Sequence, residues 1–231
     1  MKKNVKKAAI FLSIFLVLGL IASRIPFTNI VGSSTSFNLF DFMGPISGMF
    51  IGSIFGALSV VGVKLINFFI DGTFDTSAII RIFPMLFAAV YMGLKNKKLI
   101  AVVPAIAMIM FWIHPEGRQA WYYALYWLIP IAATFFPKHL ILNALGATFT
   151  AHCVGSVAFL YALNLPAAVW TGLIPVVWME RGLMALGIWV FYVLFNNVIE
   201  KVAVKKLHWN FFKPLVNEHY LFSKKFFKSY L

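Results

Sequence analysis

Lys64, Asn67 and Asp71 stand at i, i+3 and i+7, a spacing that lines one face of a helix. Their neighbours are apolar, so the stripe would lie in hydrocarbon, where a lysine costs about 2.5–3.5 kcal/mol to insert. Such groups face a cavity or polar partners, never lipid. The stripe therefore either forms an internal salt bridge with packing hydrogen bonds or lines a site open to the outside. Arg81 follows Asp71 and Asp75 closely; it either clamps a ligand carboxylate bidentately or pairs with one of those aspartates. His114, Glu116 and Arg118 form a polar loop flanked by Trp112, Trp121, Tyr122 and Tyr123. His152 sits in an apolar run with Thr148 and Ser156 four residues to either side, either as a hydrogen-bonded core histidine or as a ligand contact. Glu180 and Arg181 are adjacent, so they point about 100° apart on a helix, and each is expected to find its partner elsewhere. Lys64, Asn67, Asp71, Arg81, His114, Arg118, Trp121, His152, Glu180 and Arg181 are thus the candidate substrate contacts.

Motifs for covalent or metal chemistry are missing from the chain: there is no H-E-x-x-H, no G-x-S-x-G and no phosphate-cradling loop. Cys153 is the single cysteine, which leaves no intrachain disulfide and no thiolate cluster for a metal. The expectation is a non-enzymatic protein without a cofactor. An intramembrane enzyme using His152 and Glu180 is the alternative.

The elements that must position these groups are membrane helices. The chain of 231 residues is 61% hydrophobic and 12% charged, against about 45–50% and 25% in soluble domains. Apolar runs of about twenty residues recur throughout, predicting an all-α integral membrane protein, a single-domain polytopic bundle of about six to eight transmembrane helices. The net charge of +13 sits in short loops and at the ends. That placement suits orientation in a plasma membrane and anionic lipid headgroups, not nucleic acid. Helices are expected at 8–23, 42–56, 57–73, 76–94, 99–113, 121–136 and 140–163, with a last segment to about 199 broken near Pro175. A loop is expected at 27–40, and a basic amphipathic tail from about 201 lies on the cytoplasmic surface. The first helix, after Lys2, Lys3, Lys6 and Lys7, reads as retained, not as a cleaved signal peptide.

The run 42–73 decides sidedness, and it carries Gly44, Gly48, Gly52 and Gly56 at intervals of four. As one helix it would put Lys95, Lys97, Lys98 and the tail outside, against the positive-inside rule. As a short glycine-rich helical hairpin it leaves fifteen of the sixteen lysines cytoplasmic, Lys64 excepted. Both termini are then cytoplasmic, and all four arginines fall at or near the outer side. Helices of roughly fifteen residues span only about 22 Å of a core ~30 Å thick, so protein must shield them. Small residues every four positions let backbones approach for that purpose.

A basic N-terminus, a loop ending at Asp41, a glycine-rich short helix with IFG, then VKLINFFIDGT and a helix ending Leu94-Lys-Asn-Lys-Lys98 form a recognisable order. It resembles the substrate-binding S components of energy-coupling factor (ECF) vitamin transporters, the riboflavin-type members above all, mainly over 41–98. The resemblance implies an outward-facing pocket that captures a small micronutrient, aromatic or heteroaromatic. It also implies partners, namely a transmembrane coupling subunit and separate ATPase subunits. It places Asp41, Lys64 and Asn67 among the substrate contacts, and Ala9-x-x-x-Ser13 as a weaker form of the alanine-x-x-x-alanine face that docks on the coupling subunit. S components typically have six helices, where about eight are expected here. Rod-shape-determining membrane scaffolds have a similar fold and no transported substrate, so a non-transporting scaffold is a further alternative.

Overall fold

A computed structural model describes residues 2–29, 36–72 and 75–222. The described chain is helical apart from one short antiparallel pair. It runs α1 (Lys2–Ser23), β1 (Pro26–Asn29), β2 (Ser36–Asn38), α2 (Leu39–Ile51), α3 (Ser53–Asp71), α4 (Thr76–Ile80), α5 (Ile82–Gly93), α6 (Val102–Ile113), α7 (Pro115–Gln119), α8 (Leu128–Ala133), α9 (Leu140–Leu163) and α10 (Ala167–Val198). The strand pair, with Pro26 opposite Asn38 and Thr28 opposite Phe37, occupies the two ends of the expected 27–40 loop. The middle of that loop, the side chains of the four N-terminal lysines and the tail beyond 222 lie outside the described residues.

The glycine-rich run is a hairpin, but it turns at Gly52 and not at the expected 56–57. Gly52 adopts φ +83°, a left-handed value that a side chain would oppose. Close approach proves the reversal. A Cβ on Gly56 would lie 2.5 Å from the Gly48 Cα, whereas residues eight apart in a straight helix are about 12 Å apart. Ser47 Oγ ties the arms together, sharing its proton between the carbonyls of Gly44 at 2.7 Å and Gly56 at 3.1 Å. At the other end Asn38 starts α2 with a capping box: its side chain accepts from Phe40 N–H while Asp41 accepts from the Asn38 N–H.

Four segments are long and apolar enough to cross a membrane: Ser53–Asp71, Thr76–Gly93, Leu140–Leu163 and Ala167–Lys206. The apolar part of α1 (Ala9–Ser23) and α2 are shorter. Two expected helices differ more. The segment 99–113 contributes only the 12-residue α6, and 121–136 begins as a 3-10 helix, Trp121–Trp127, before α8. Pro130 lies in the first turn of α8, where its missing N–H is not needed. Conversely, α10 runs through Pro175 without the expected break, and Tyr126 Oη ties it to the 3-10 helix here by donating to the Ile174 carbonyl at 2.9 Å.

The bundle has two distinct ends. At the Gly52 end, Phe50 stacks on Tyr192 late in α10, and Phe11 of α1 meets Phe50 and Phe212 of the tail. After a π-helical stretch, Ile199–Lys206, the tail folds back onto α10. Asn196 exchanges two hydrogen bonds with the Asn217 backbone, and Asn197 holds the Tyr220 carbonyl and the Phe222 N–H. Lys97 is buried here and donates to the Tyr91 and Met92 carbonyls that α5 leaves unsatisfied; burial pushes its ammonium down to about 8. At the opposite, Arg24 end meet the C-termini of α1 and α3 and the start of α2.

Candidate functional site

Every member of the stripe on α3 has a protein partner, and two of the three share Arg24. Arg24, from the end of α1, donates to Asp71 Oδ1 at 2.6 Å and to Asn67 Oδ1 at 2.9 Å. Asn67 in turn donates to Ser23 Oγ at 2.9 Å. Lys64 lies 3.5 Å from Asp41 Oδ1, at the start of α2, and 5.6 Å from the Phe40 ring centre. Asn67 and Asp71 thus follow the internal-pairing alternative, with an arginine 43 and 47 residues away. Lys64 is held more loosely, since 3.5 Å is beyond good hydrogen-bond range.

These groups surround an open cleft of about 170 Å³ lined by Ser23, Arg24, Asn38, Lys64, Asn67, Phe68, Asp71, Ala78, Arg81 and Ile82. Arg81 sits at the junction of α4 and α5, half-buried. Neither neighbouring aspartate pairs with it: Asp71 holds Arg24, and Asp75 caps α4 by accepting from Ala78 N–H at 2.7 Å. Among the described residues Arg81 makes no hydrogen bond or ion pair.

A second polar group lies deeper, between α9, α10 and the 3-10 helix. Trp127 Nε1–H can only donate, and it reaches His152 Nδ1 at 3.1 Å. The neutral imidazole then carries its proton on Nε2 and donates to Tyr123 Oη at 2.8 Å, which leaves the phenol proton for Ser156 Oγ at 3.3 Å. Phe111, Trp127 and Trp170 pack around Tyr123. Arg181 is 9% exposed. Its Nη2 lies 3.5 Å from Glu180 Oε2 and its guanidinium 5.2 Å from the Phe37 ring centre. The expectation that adjacent Glu180 and Arg181 would not pair is corrected: their long side chains fold back toward each other despite diverging Cβ bonds. The contact is weak, and the buried Arg181 Nε has no hydrogen-bond partner among the described residues. Arg181 is within electrostatic reach of Asp41 and Tyr123, and of His152.

The structure therefore pairs Asp41 with Lys64 and Glu180 with Arg181, joins His152 to Tyr123 and Trp127, and brings Lys64, Asn67, Asp71 and Arg81 around the cleft. His114, Arg118 and Trp121 join none of these. His114 Nδ1 caps α7, stacking edge-on with Tyr161; Arg118 is exposed; Trp121 lends its carbonyl to Trp112 Nε1. Glu116 caps α10, accepting from Ala167 N–H at 2.7 Å. Ala9 and Ser13 stand exposed on α1, and Ser13 Oγ donates to the Ala9 carbonyl at 3.0 Å. Arg24, Asn38 and Trp127 escaped the sequence reading. Asn38 carried a signal, an Asn three residues before Asp41, which is a capping-box spacing.

No family model matches this chain, and no solved structure matches it. An uncharacterised protein of the archaeon Methanocaldococcus jannaschii is 28% identical over 203 residues, covering 78% of this chain and 68% of the relative.

Proposed function

We propose that this chain is a multi-pass plasma-membrane protein with both termini cytoplasmic, acting as the substrate-binding subunit of an uptake system. It captures a small micronutrient with an aromatic or heteroaromatic part from the outside. A transmembrane coupling subunit and separate ATPase subunits energise release inward, as in the ECF systems whose S components the 41–98 region resembles. The observation that carries the reading is Arg81, a half-buried cation without a partner among the described residues in an open cleft beside Lys64. A charge is retained at that depth when something pairs with it, and a ligand supplies what the fold does not.

The scaffold reading draws on the closed set Arg24–Asp71–Asn67–Ser23, which ties the end of α1 to α3 without a ligand. Native mass spectrometry of the purified protein separates the two. Capture predicts a co-purified small molecule that is lost in Arg81→Gln while the variant still folds. A wild-type protein that carries no solute and gains no thermal stability from extracts of growth medium would leave the scaffold reading standing.

A further inference from the structure

Donors and acceptors around the cleft are out of balance. Arg24 is used by Asp71 and Asn67, and Asp71 by Arg24. Lys64 is loosely matched by Asp41, and Asp75 is committed to the α4 cap. Asn38 accepts through Oδ1 from Phe40 N–H, and its Nδ2 donor has no partner among the described residues. What remains is the whole Arg81 guanidinium, the Asn38 amide N–H group and part of the Lys64 ammonium. These three are donors, and among the described residues Arg81 is the cation of the cleft with no carboxylate in contact. Ala78, Ile82 and Phe68 supply an apolar wall beside them.

We infer that the cleft binds a carboxylate: a compact organic monoanion, or the carboxylate end of a larger solute, gripped by Arg81 and steadied by Asn38 and Lys64. The inference rests on the capture reading and specifies its ligand. Charge selects the class, because one unmatched cation suits a monoanion, whereas a phosphate monoester brings close to two negative charges at neutral pH. Geometry agrees, since a guanidinium fork matches a carboxylate bidentately. Size sets the limit. About 170 Å³ is the room of five or six waters at ~30 Å³ each, below the roughly 300–1,000 Å³ of pockets that enclose drug-sized ligands. A benzoate-sized anion matches that room, and the open side of the cleft lets a larger solute extend beyond it.

The test compares benzoate with benzamide, which has the same ring and shape but no charge. The readout is the thermal unfolding midpoint of full-length protein in phosphatidylcholine nanodiscs. Benzoate is expected to raise the midpoint, with half-maximal effect at a concentration at least tenfold below that of benzamide. Arg81→Gln should abolish the difference and Arg81→Lys preserve part of it. Lys138→Gln, an exposed lysine outside the lining of the cleft, should respond like wild type. The wild-type comparison needs no variant, so a misfolded Arg81→Gln does not rescue the idea. Equal responses to the two compounds overturn the carboxylate assignment. So does a stronger response to inorganic phosphate, or an Arg81-dependent stabilisation by phosphatidylglycerol in the disc without any by benzoate. A co-purified neutral solute, with equal benzoate and benzamide responses, would sink this inference and leave capture standing.

Discussion

Asp41 faces Lys64 Nζ at 3.5 Å through one oxygen and accepts the Asn38 N–H at 2.8 Å through the other, with Arg181 in electrostatic reach. Among the described residues Lys64 has no second carboxylate. The two halves of the pair are therefore unequal. Lys64→Met leaves Asp41 with its Asn38 hydrogen bond, so the loss of stability should be on the order of 1 kcal/mol, the scale of a loosely held ion pair. Asp41→Asn removes the charge that matches Lys64 and weakens the α2 capping box, and should cost about 2 kcal/mol, the loosely held pair and the weakened cap together. Thermal unfolding of both variants in the same lipid checks the order, and equal losses would refute it. A double variant Lys64→Met with Asp71→Leu, the pair that the i, i+7 spacing suggests, should show no rescue, because Asp71 serves Arg24. This is also where single-sequence reading stops for side chains. Periodicity placed Lys64, Asn67 and Asp71 on one face, but which cation or anion meets them depends on α1 and α2, which no local spacing encodes. Tyr123 and Trp127 stand four apart, so a 3.6-residue period places them on one face, but that they meet His152 depends on how α9 packs against them, which the spacing itself leaves open.

Short helices in this fold survive by backbone contact, and the glycines show where. A Cβ on Gly48 would run into the Ala89 carbonyl oxygen and lie 2.9 Å from the Gly93 N. A Cβ on Gly93 would meet Ser53 N at 2.5 Å. These obstacles are backbone atoms, which cannot rotate aside. Gly182, in the middle of α10, has nothing within 4 Å of an added Cβ. Gly48→Ala should therefore destabilise by about 1–3 kcal/mol or more through overpacking, whereas Gly182→Ala should be neutral or stabilise by up to ~1 kcal/mol through helix propensity. Unfolding midpoints of the two variants test the contrast; a tolerated Gly48→Ala would mean that α2, α3 and α5 do not meet at this crossing. The four-residue glycine spacing announced the close approach, because small residues on one face have few other uses. It did not announce the turn, since Gly48, Gly52 and Gly56 look alike in sequence and only Gly52 carries a positive φ. The expected helices at 99–113 and 121–136 are present but shorter or less regular, because hydropathy reports burial in apolar surroundings, and aromatic packing around Phe111, Tyr123 and Trp127 satisfies it without a long regular helix.

For the molecule as a whole, the chain's described ends come together. Phe11 early in α1 packs on Phe50 beside the Gly52 turn and on Phe212 of the tail, and Tyr192 bridges Phe50 to Tyr220. Lys97 closes α5 at this end, and Lys98 lies over Phe135, just ahead of Lys138. Arg24, Asn67, Asp71 and Arg81 gather at the other end, around the cleft. This is the separation that the lysine distribution implied, and the hairpin is its mechanical cause. Had 43–69 been one helix, Gly48 and Gly56 could not touch and α4 would start at the wrong end. Lysine-rich loops are retained on the cytoplasmic side, so the whole bundle should be oriented with its Gly52 end inward and its cleft outward. Reporter fusions after Lys98, after Lys138 and after Phe222 should all report the side of the N-terminus, and one inserted in the α7 turn after Gly117 should report the opposite side. A fusion after Lys98 on the far side from the tail would break this orientation, since the two segments meet at one end of the bundle. All three on the far side from Met1 would require α1 to enter in the opposite sense from the rest. A cleft found on the cytoplasmic face would rule out capture from outside while leaving the fold untouched, because the packing at Gly48, Gly56 and Gly93 is indifferent to which end faces the cell.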